Sequence, residues 1–187
     1  MSHLTILVDM DDTIENLLSV WVNVLNKKYE RNVALDDIHS WDIGSYFPGL
    51  SKDELFSVLN TEEFWAKVTP IPGSIDTLQK IKEDGDQVLI VTATHPYTVK
   101  LKFDAIIKRY FPFIPCEDMI ITSRKQLIHG DILIDDAPHN LIGGSYYKIL
   151  ITAPHNRDFD AAGNGIVRCD TWDEIYSEIR KFRNKEV

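Results

Sequence analysis

From residue 70 onward, the sequence alternates short apolar runs with segments of helical period. The runs "QVLIVTA", "DMIIT", "DILIDD" and "YYKILIT" are rich in Val, Ile and Leu, like "LTILV" near the start. Segments such as "SIDTLQKIKEDG" and "TWDEIYSEIRKF" instead place apolar residues three or four positions apart. Strands that alternate with helices form right-handed βαβ units, which lay the strands parallel in one sheet. The sequence therefore predicts an α/β fold with a doubly wound parallel sheet.

A long segment separates the first predicted strand, Leu4–Val8, from this alternating region. It is too long for a simple crossover, and it contains helix starts of its own: "SKDE", which has the form of a capping box, and "TEEFWAKV" behind a Thr61 cap. "PIPG" ends it. We expect a small helical cap at 16–71, inserted after strand one, and a catalytic core made of 1–15 and 72–187.

Composition and charge exclude several classes of protein. The 187 residues are 44% hydrophobic and carry a formal net charge of −9, which argues against binding to a nucleic acid polymer or an anionic membrane. No apolar run approaches the ~18 residues of a membrane span, and the start "MSHLTILVDMDD" lacks the features of a secretory signal. Cys116 and Cys169 are isolated, as expected of reduced thiols. These features predict a cytoplasmic protein.

Polar side chains follow four of the predicted strands, at the edge where open parallel sheets bind their ligands. They are Asp9, Asp11, Asp12 and Thr13 after the first strand, then Thr92 and Thr94, Arg124 and Lys125, and Asp135 and Asp136. Each has an ordinary explanation alone: a helix cap or turn for the acids, a strand residue for Thr92 and a surface position for Lys125. Their combination favours a functional site.

Clustered carboxylates repel one another unless a cation lies between them. Mg²⁺ removes this cost and, together with a lysine, neutralises a phosphoryl group. An aspartate can then attack phosphorus, and a carboxyl two residues away can transfer the proton. A calcium loop is excluded, because its glycine and glutamate positions hold Ile14 and Val20. The sequence contains neither a P-loop nor a GxGxxG motif.

"DMDDTI", the hydroxyl of "LIVTAT", a lysine ten residues before an acid pair, and "DILIDD" resemble the four motifs of the haloacid dehalogenase superfamily of phosphohydrolases. The resemblance implies a Rossmann-like core. It also implies that Asp9 is the nucleophile and a Mg²⁺ ligand, and that Asp11 is the general acid/base, with its backbone carbonyl on the metal. Its P-type ATPases carry threonine at the Asp11 position, whereas its phosphatases carry aspartate.

The same resemblance implies roles for residues of the later motifs. Thr92 would donate a hydrogen bond to the phosphoryl group and Lys125 would balance its charge. Asp135 would be the other metal ligand, and Asp136 would orient its neighbours. The vertebrate members have serine and then proline after the motif threonine, where this chain has Ala93 and Thr94, and "RDK" where it has "SRK". The hydroxyl contact to phosphate can therefore lie at Thr94, and substrate preference stays open.

Within the superfamily, the sequence most resembles the 5′(3′)-deoxyribonucleotidases, in "EFWAKVTPIPG", "ITSRKQLIHGDILIDD", "ILITAPHNR" and "TWDEI". This likeness implies a cap that closes over a nucleoside monophosphate and stacks aromatic residues on the base. The candidates are Phe64 and Trp65, followed by Trp41, Tyr46 and Phe47. The alternative for Phe64 and Trp65 is a place in the core of the cap.

Two other functions remain at this point. A phosphatase of sugar phosphates or other small metabolites would use the same catalytic residues and differ only in its cap. A phospho-accepting receiver module also combines acids, a hydroxyl and a lysine, but its middle strand should end in an aspartate, and here that strand ends in "TATH". The sequence gives neither the base, the sugar nor the position of the phosphate, and it leaves a homodimer open.

Overall fold

The computed structural model describes residues 3–185 and contains a sheet of six parallel strands in the order β3-β2-β1-β4-β5-β6. The strands are β1 (Thr5–Val8), β2 (Gln87–Thr92), β3 (Met119–Ile121), β4 (Ile132–Asp135), β5 (Tyr147–Ile151) and β6 (Val167–Cys169). The chain leaves central β1 first to one side and then to the other. This order is that of a doubly wound Rossmann-like sheet and confirms the predicted fold class.

The apolar runs form the inner strands because both faces of the sheet are covered. Leu7 lies between Leu89 of β2 and Leu133 of β4 in register. Ile6 and Val8 face the larger apolar cluster, whereas Leu7 faces a smaller cluster on the opposite side, as the twofold alternation of a strand requires. The edge strand β6 was not predicted, since Arg168 interrupts its apolar residues, whereas the equally short β3 carries the continuous apolar run "MII".

Helices cover the sheet and fill the segment between β1 and β2. They are α1 (Leu17–Tyr29), α2 (Lys52–Phe56), α3 (Glu62–Trp65), α4 (Ser74–Glu83), α5 (Pro96–Lys102), α6 (Lys108–Tyr110), α7 (Pro138–Leu141) and α8 (Trp172–Lys185). A π-helical segment, Phe103–Ile107, joins α5 to α6. Helix α1 begins only at Leu17, because the backbone of Glu15 forms bridges with Asp11 and Pro70.

The segment between β1 and α4 holds α1, α2, α3 and three 3₁₀ turns. The capping box at Ser51 and the cap at Thr61 are both formed, as predicted. Apolar residues of this segment join those under the sheet in one cluster, so the insertion is packed directly on the core. The domain division at 16–71 stays a prediction. Within residues 3–185, no helix combines the length and the apolar character needed to cross a membrane.

Candidate active site

The sheet brings three predicted site residues into direct contact at the carboxyl end of β1. The Asp9 N–H donates to the Ile134 carbonyl at 2.9 Å, which continues the sheet by one residue and fixes where the Asp9 carboxylate lies. Lys125 Nζ donates to Asp9 Oδ1 at 2.5 Å and to Asp135 Oδ2 at 2.6 Å. Lys125 is only 1% exposed and Asp9 5%. One buried ammonium group therefore links two buried carboxylates from different strands.

Burial and charge act in opposite directions on these groups. Burial raises the pKa of Asp9 well above its ordinary value, the Lys125 charge opposes that rise, and the Asp135 charge adds to it. Burial alone would lower the pKa of Lys125, but the charges and hydrogen bonds of Asp9 and Asp135 outweigh it and raise the pKa. Lys125 therefore carries its positive charge at neutral pH.

The acid pair is held by contacts that the sequence analysis missed. Asp135 Oδ1 accepts hydrogen bonds from the Ala137 N–H at 2.8 Å and from Asn140 Nδ2 at 3.1 Å. Both donors belong to the tetrapeptide "APHN" at 137–140. The loop after β4 thus holds Oδ1 of Asp135, while Oδ2 of the same carboxylate accepts the hydrogen bond from Lys125.

A second copy of "APHN", at 153–156, lies against Asp136. Asn156 Nδ2 donates to the Asp136 carbonyl at 2.6 Å, and His155 Nε2 lies 2.7 Å from Asp136 Oδ2. Thr13 Oγ1 donates to the other carboxylate oxygen at 3.4 Å. Each copy of the repeat therefore contacts one member of the acid pair. The repeat is also the sequence signal from which Asn140, His155 and Asn156 could have been identified.

The donor set fits a hard divalent cation. Carboxylate oxygens of Asp9, Asp135 and Asp136 lie within 4.8 Å of one another, and all three residues are buried. The surrounding acids are Asp9, Asp11, Asp12, Glu15, Asp135 and Asp136, and the ammonium groups in contact with them are those of Lys125 and Lys102. This excess of carboxyl groups is the environment in which Mg²⁺ or a similar ion binds.

Asp11 and Asp12 occupy different environments although they are adjacent. Lys102 Nζ donates to Asp11 Oδ1 and Oδ2 at 2.6 and 2.5 Å, a pair that the sequence did not reveal. Asp12 Oδ1 instead accepts the Leu18 N–H at 2.9 Å, at the start of α1. Asp12 thus acts as the loop and helix-start acid that the sequence suggests.

Glu15 is a buried carboxyl that the motif analysis passed over. It is fully buried, and neither of its oxygens has a hydrogen-bond partner within residues 3–185. Burial raises its pKa well above the ordinary value, and the charge of Asp11 raises it further.

The hydroxyl groups of Thr92 and Thr94, the two candidates for the phosphate contact, differ in their hydrogen bonding. Thr92, the last residue of β2, is fully buried, and in the described part of the chain its Oγ1 has no hydrogen-bond partner. Thr94 Oγ1 lies 2.6 Å from Thr98 Oγ1, so the hydroxyl of Thr94 already has a partner. Thr92 thus retains the hydrogen-bonding capacity that an added phosphoryl oxygen would use.

A cavity of about 1000 Å³ lies between the insertion and the sheet edge. Asp11, Thr94 and Lys102 line it, together with Trp41 and Trp65 and the unpredicted aromatic residues Trp21, Phe56 and Tyr97. Of the predicted cap residues, Trp41 is 38% exposed and stacks on His155 with ring centroids 5.0 Å apart. Phe64, Tyr46 and Phe47 are absent from the lining, and Phe64 is buried at 2% exposure, which favours its role in the core of the cap.

The doubly wound sheet, the acid after its central strand, the lysine and the acid pair together define a phosphohydrolase of the haloacid dehalogenase fold. Solved structures share that fold. A HAD family hydrolase of Deinococcus radiodurans, crystallised with bound phosphate and sodium, matches 96% of this chain and 96% of its own at a TM-score of 0.62 and 15% identity. A haloacid dehalogenase-like hydrolase of Streptococcus pneumoniae gives a TM-score of 0.60 at 15% identity over 95% of this chain and 98% of its own.

The chain belongs to the family described as 5′ nucleotidase, deoxy (pyrimidine), cytosolic type C protein, whose sequence profile matches residues 3–186. It is 33% identical to a 5′(3′)-deoxyribonucleotidase of Bacillus subtilis over 93% of this chain and 97% of that protein. A 5′(3′)-deoxyribonucleotidase of Clostridium acetobutylicum is also 33% identical, over 93% of each chain. The protein is therefore a phosphoric monoester hydrolase of the deoxyribonucleotidase type.

Proposed function

We propose that this protein is a magnesium-dependent 5′-nucleotidase that hydrolyses (deoxy)nucleoside monophosphates through an aspartyl-phosphate on Asp9. The observation that carries the proposal is the position of Asp11. Asp11 lines the aromatic cavity, while Asp9, two residues earlier, lies in the buried cluster with Lys125 and Asp135. A phosphate ester bound across this boundary would place its phosphoryl group in the cluster and its leaving group in the cavity.

In the first step the Asp9 carboxylate attacks phosphorus, the Asp9 O–P bond forms and the ester P–O bond breaks, while the protonated form of Asp11 gives its proton to the leaving oxygen. In the second step water attacks phosphorus, Asp11 takes its proton, and the Asp9 O–P bond breaks to release phosphate. Lys125 balances the charge of the phosphoryl oxygens, and the hydroxyl of Thr92, unpartnered within residues 3–185, donates to one of them.

Asp9, Asp135 and the backbone carbonyl of Asp11 would hold the Mg²⁺ ion, with Asp136 orienting this group of ligands. When bound, the ion supplies the positive charge that offsets both the clustered carboxylates and the phosphoryl oxygens. The carboxylate oxygens of the cluster support this choice, because a hard cation that retains several waters prefers such ligands.

The cavity supports a nucleotide as the substrate. Its volume of about 1000 Å³ suits a small ligand, and aromatic side chains provide flat apolar surface on its walls. Trp41, 38% exposed, comes from the insertion, whereas Tyr97, 75% exposed, comes from the first turn of α5. A base between such surfaces would be held by stacking, and the relatives named 5′(3′)-deoxyribonucleotidases agree with that substrate class.

The test is phosphate release from deoxyribo- and ribonucleoside 5′- and 3′-monophosphates, compared with sugar phosphates, with and without Mg²⁺. We expect Mg²⁺-dependent turnover of nucleotides, its loss in Asp9→Asn, and wild-type activity in the exposed control Asp173→Asn. Full activity of Asp9→Asn would refute the mechanism. Turnover of sugar phosphates without turnover of any nucleotide would refute the substrate class.

A further inference from the structure

Lys102 occupies an unusual position for a lysine. It is the last residue of α5 and only 3% exposed, whereas Lys100, two residues earlier, has a side chain that is 86% exposed and pairs with Asp104 at the surface. Burying an ammonium group is costly unless a charge compensates it. Both oxygens of Asp11 supply that compensation, at 2.6 and 2.5 Å from Nζ.

The helix that carries Lys102 changes its winding immediately after this residue. Residues Phe103–Ile107 are π-helical, between α-helical Pro96–Lys102 and Lys108–Tyr110. Short π-helical segments inside α-helices are frequent at functional sites. This interruption is therefore a second, independent indication that the direction of the Lys102 side chain matters.

Lys102 also contacts the insertion. Its Nζ lies 5.5 Å from the ring centroid of Trp65, within the range of a cation–π interaction. Trp65 is itself fixed, because it is 1% exposed and its Nε1 donates to the Leu59 carbonyl at 2.7 Å. One ammonium group thus joins an immobilised aromatic ring of the insertion to the Asp11 carboxyl of the core.

We infer that Lys102 is a positioning residue for Asp11, which it holds against the cavity wall in the orientation needed for proton transfer to the leaving group, with Trp65 fixing the lysine in turn. The inference rests on the proposed role of Asp11. A displacement of about 1 Å in a catalytic group can cost about 100-fold in rate. Loss of Lys102 should therefore impair departure of leaving groups that need a proton and spare those that do not.

The experiment compares two aryl substrates, phenyl phosphate and p-nitrophenyl phosphate, with a nucleoside monophosphate. The measured quantity is kcat/KM, which reports only on the steps through release of the leaving group. In Lys102→Met we expect kcat/KM to fall by about 10- to 100-fold for the nucleotide, whose leaving group needs a proton. The value for phenyl phosphate should also fall, whereas that for p-nitrophenyl phosphate, a better leaving group, should change much less. Asp11→Asn should give the same order of substrates, and the double variant should lose no more than Asp11→Asn alone.

Lys100→Met, on the same helix, is the matched control and should leave all three substrates unchanged. Lys102→Arg keeps the positive charge and should recover part of the kcat/KM lost for the nucleotide and for phenyl phosphate. This variant also tests the inference if Lys102→Met fails to fold. Equal losses for all substrates, or no loss, would overturn the inference. The substrate panel separates the two proposals, because absence of nucleotide turnover in the wild type counts against the proposed substrate while the two aryl phosphates still test Lys102.

Discussion

Lys125 Nζ lies 2.5 Å from Asp9 Oδ1, although 116 residues separate the two along the chain. The same ammonium group binds Asp135, so it is the shared counter-charge of two buried carboxylates. In Lys125→Met, we expect activity to fall by about 100- to 1000-fold, because a preorganised charge on the phosphoryl group is lost. Without divalent cations, we also expect the free energy of unfolding to fall by about 3–5 kcal/mol.

Steady-state kinetics and denaturant unfolding measure these two effects of Lys125→Met. The exposed lysine of α4, Lys80, provides the control, and Lys80→Met should change neither quantity. Retained activity in Lys125→Met would contradict the assigned role.

The hydroxyl groups of Thr92 and Thr94 can be separated by isosteric substitution. In Thr92→Val, we expect kcat/KM to fall by about 10- to 100-fold, the equivalent of one hydrogen bond to a charged group, with little change in thermal stability. Stability is spared because, within residues 3–185, no hydrogen bond of Thr92 Oγ1 is lost. Thr94→Val breaks the contact with Thr98 and should have the smaller kinetic effect. The opposite order would place the phosphate contact at Thr94.

Removal of divalent cations should abolish activity and lower the melting temperature. A cation that binds the native acid cluster but not the unfolded chain stabilises the fold by about 2.7 kcal/mol at 100 times its dissociation constant. Thermal unfolding with EDTA, with MgCl₂ and with NaCl at matched ionic strength measures this effect. We expect the Mg²⁺-specific shift to disappear in Asp135→Asn, and a shift of equal size with NaCl would argue against a specific site.

Trp41 and Phe64 should respond differently to truncation. Trp41→Leu removes an aromatic surface that lines the cavity, so we expect KM for the nucleotide to rise several-fold with a small change in stability. Phe64→Ala empties a buried site and should lower the free energy of unfolding by about 3–5 kcal/mol, with KM nearly unchanged. Unfolding curves and substrate saturation curves on both variants check this contrast, which fails if Phe64→Ala raises KM at wild-type stability.

The two cysteines should differ in reactivity. Cys116 is exposed, whereas Cys169 in β6 is buried, and burial raises its pKa to about 12. Since the thiolate is the reactive form, Cys169 stays a protonated thiol at pH 8. A thiol-specific chromogenic reagent should therefore titrate one group quickly in the native protein and two in denaturant. Cys116→Ser, which should leave no fast-reacting group, is the control.

The sequence predicted the strand ends and their chemistry because these depend on local pattern. A buried parallel strand needs a continuous apolar run, and the residue after it must lie at the carboxyl edge of the sheet. That reasoning predicts from the sequence that Asp9, Thr92 and Asp135 lie at this edge. The order of their motifs along the chain resembles that of the haloacid dehalogenase superfamily. The edge strand β6 was not predicted, because Arg168 in its middle breaks the apolar run.

Tertiary structure alone decided which side chains meet. Lys102 lies 91 residues from Asp11, and no local pattern distinguishes it from exposed Lys100. The direction of Lys102 follows from the packing of its helix against α3 and the 3₁₀ turn Ser57–Asn60 of the insertion, and that of Trp65 from its hydrogen bond to Leu59. Local sequence sets secondary structure through period and capping, whereas contacts across the chain depend on how separate elements pack. For this reason the sequence alone determined the acids of the opening strand, and only the folded chain determined their partners.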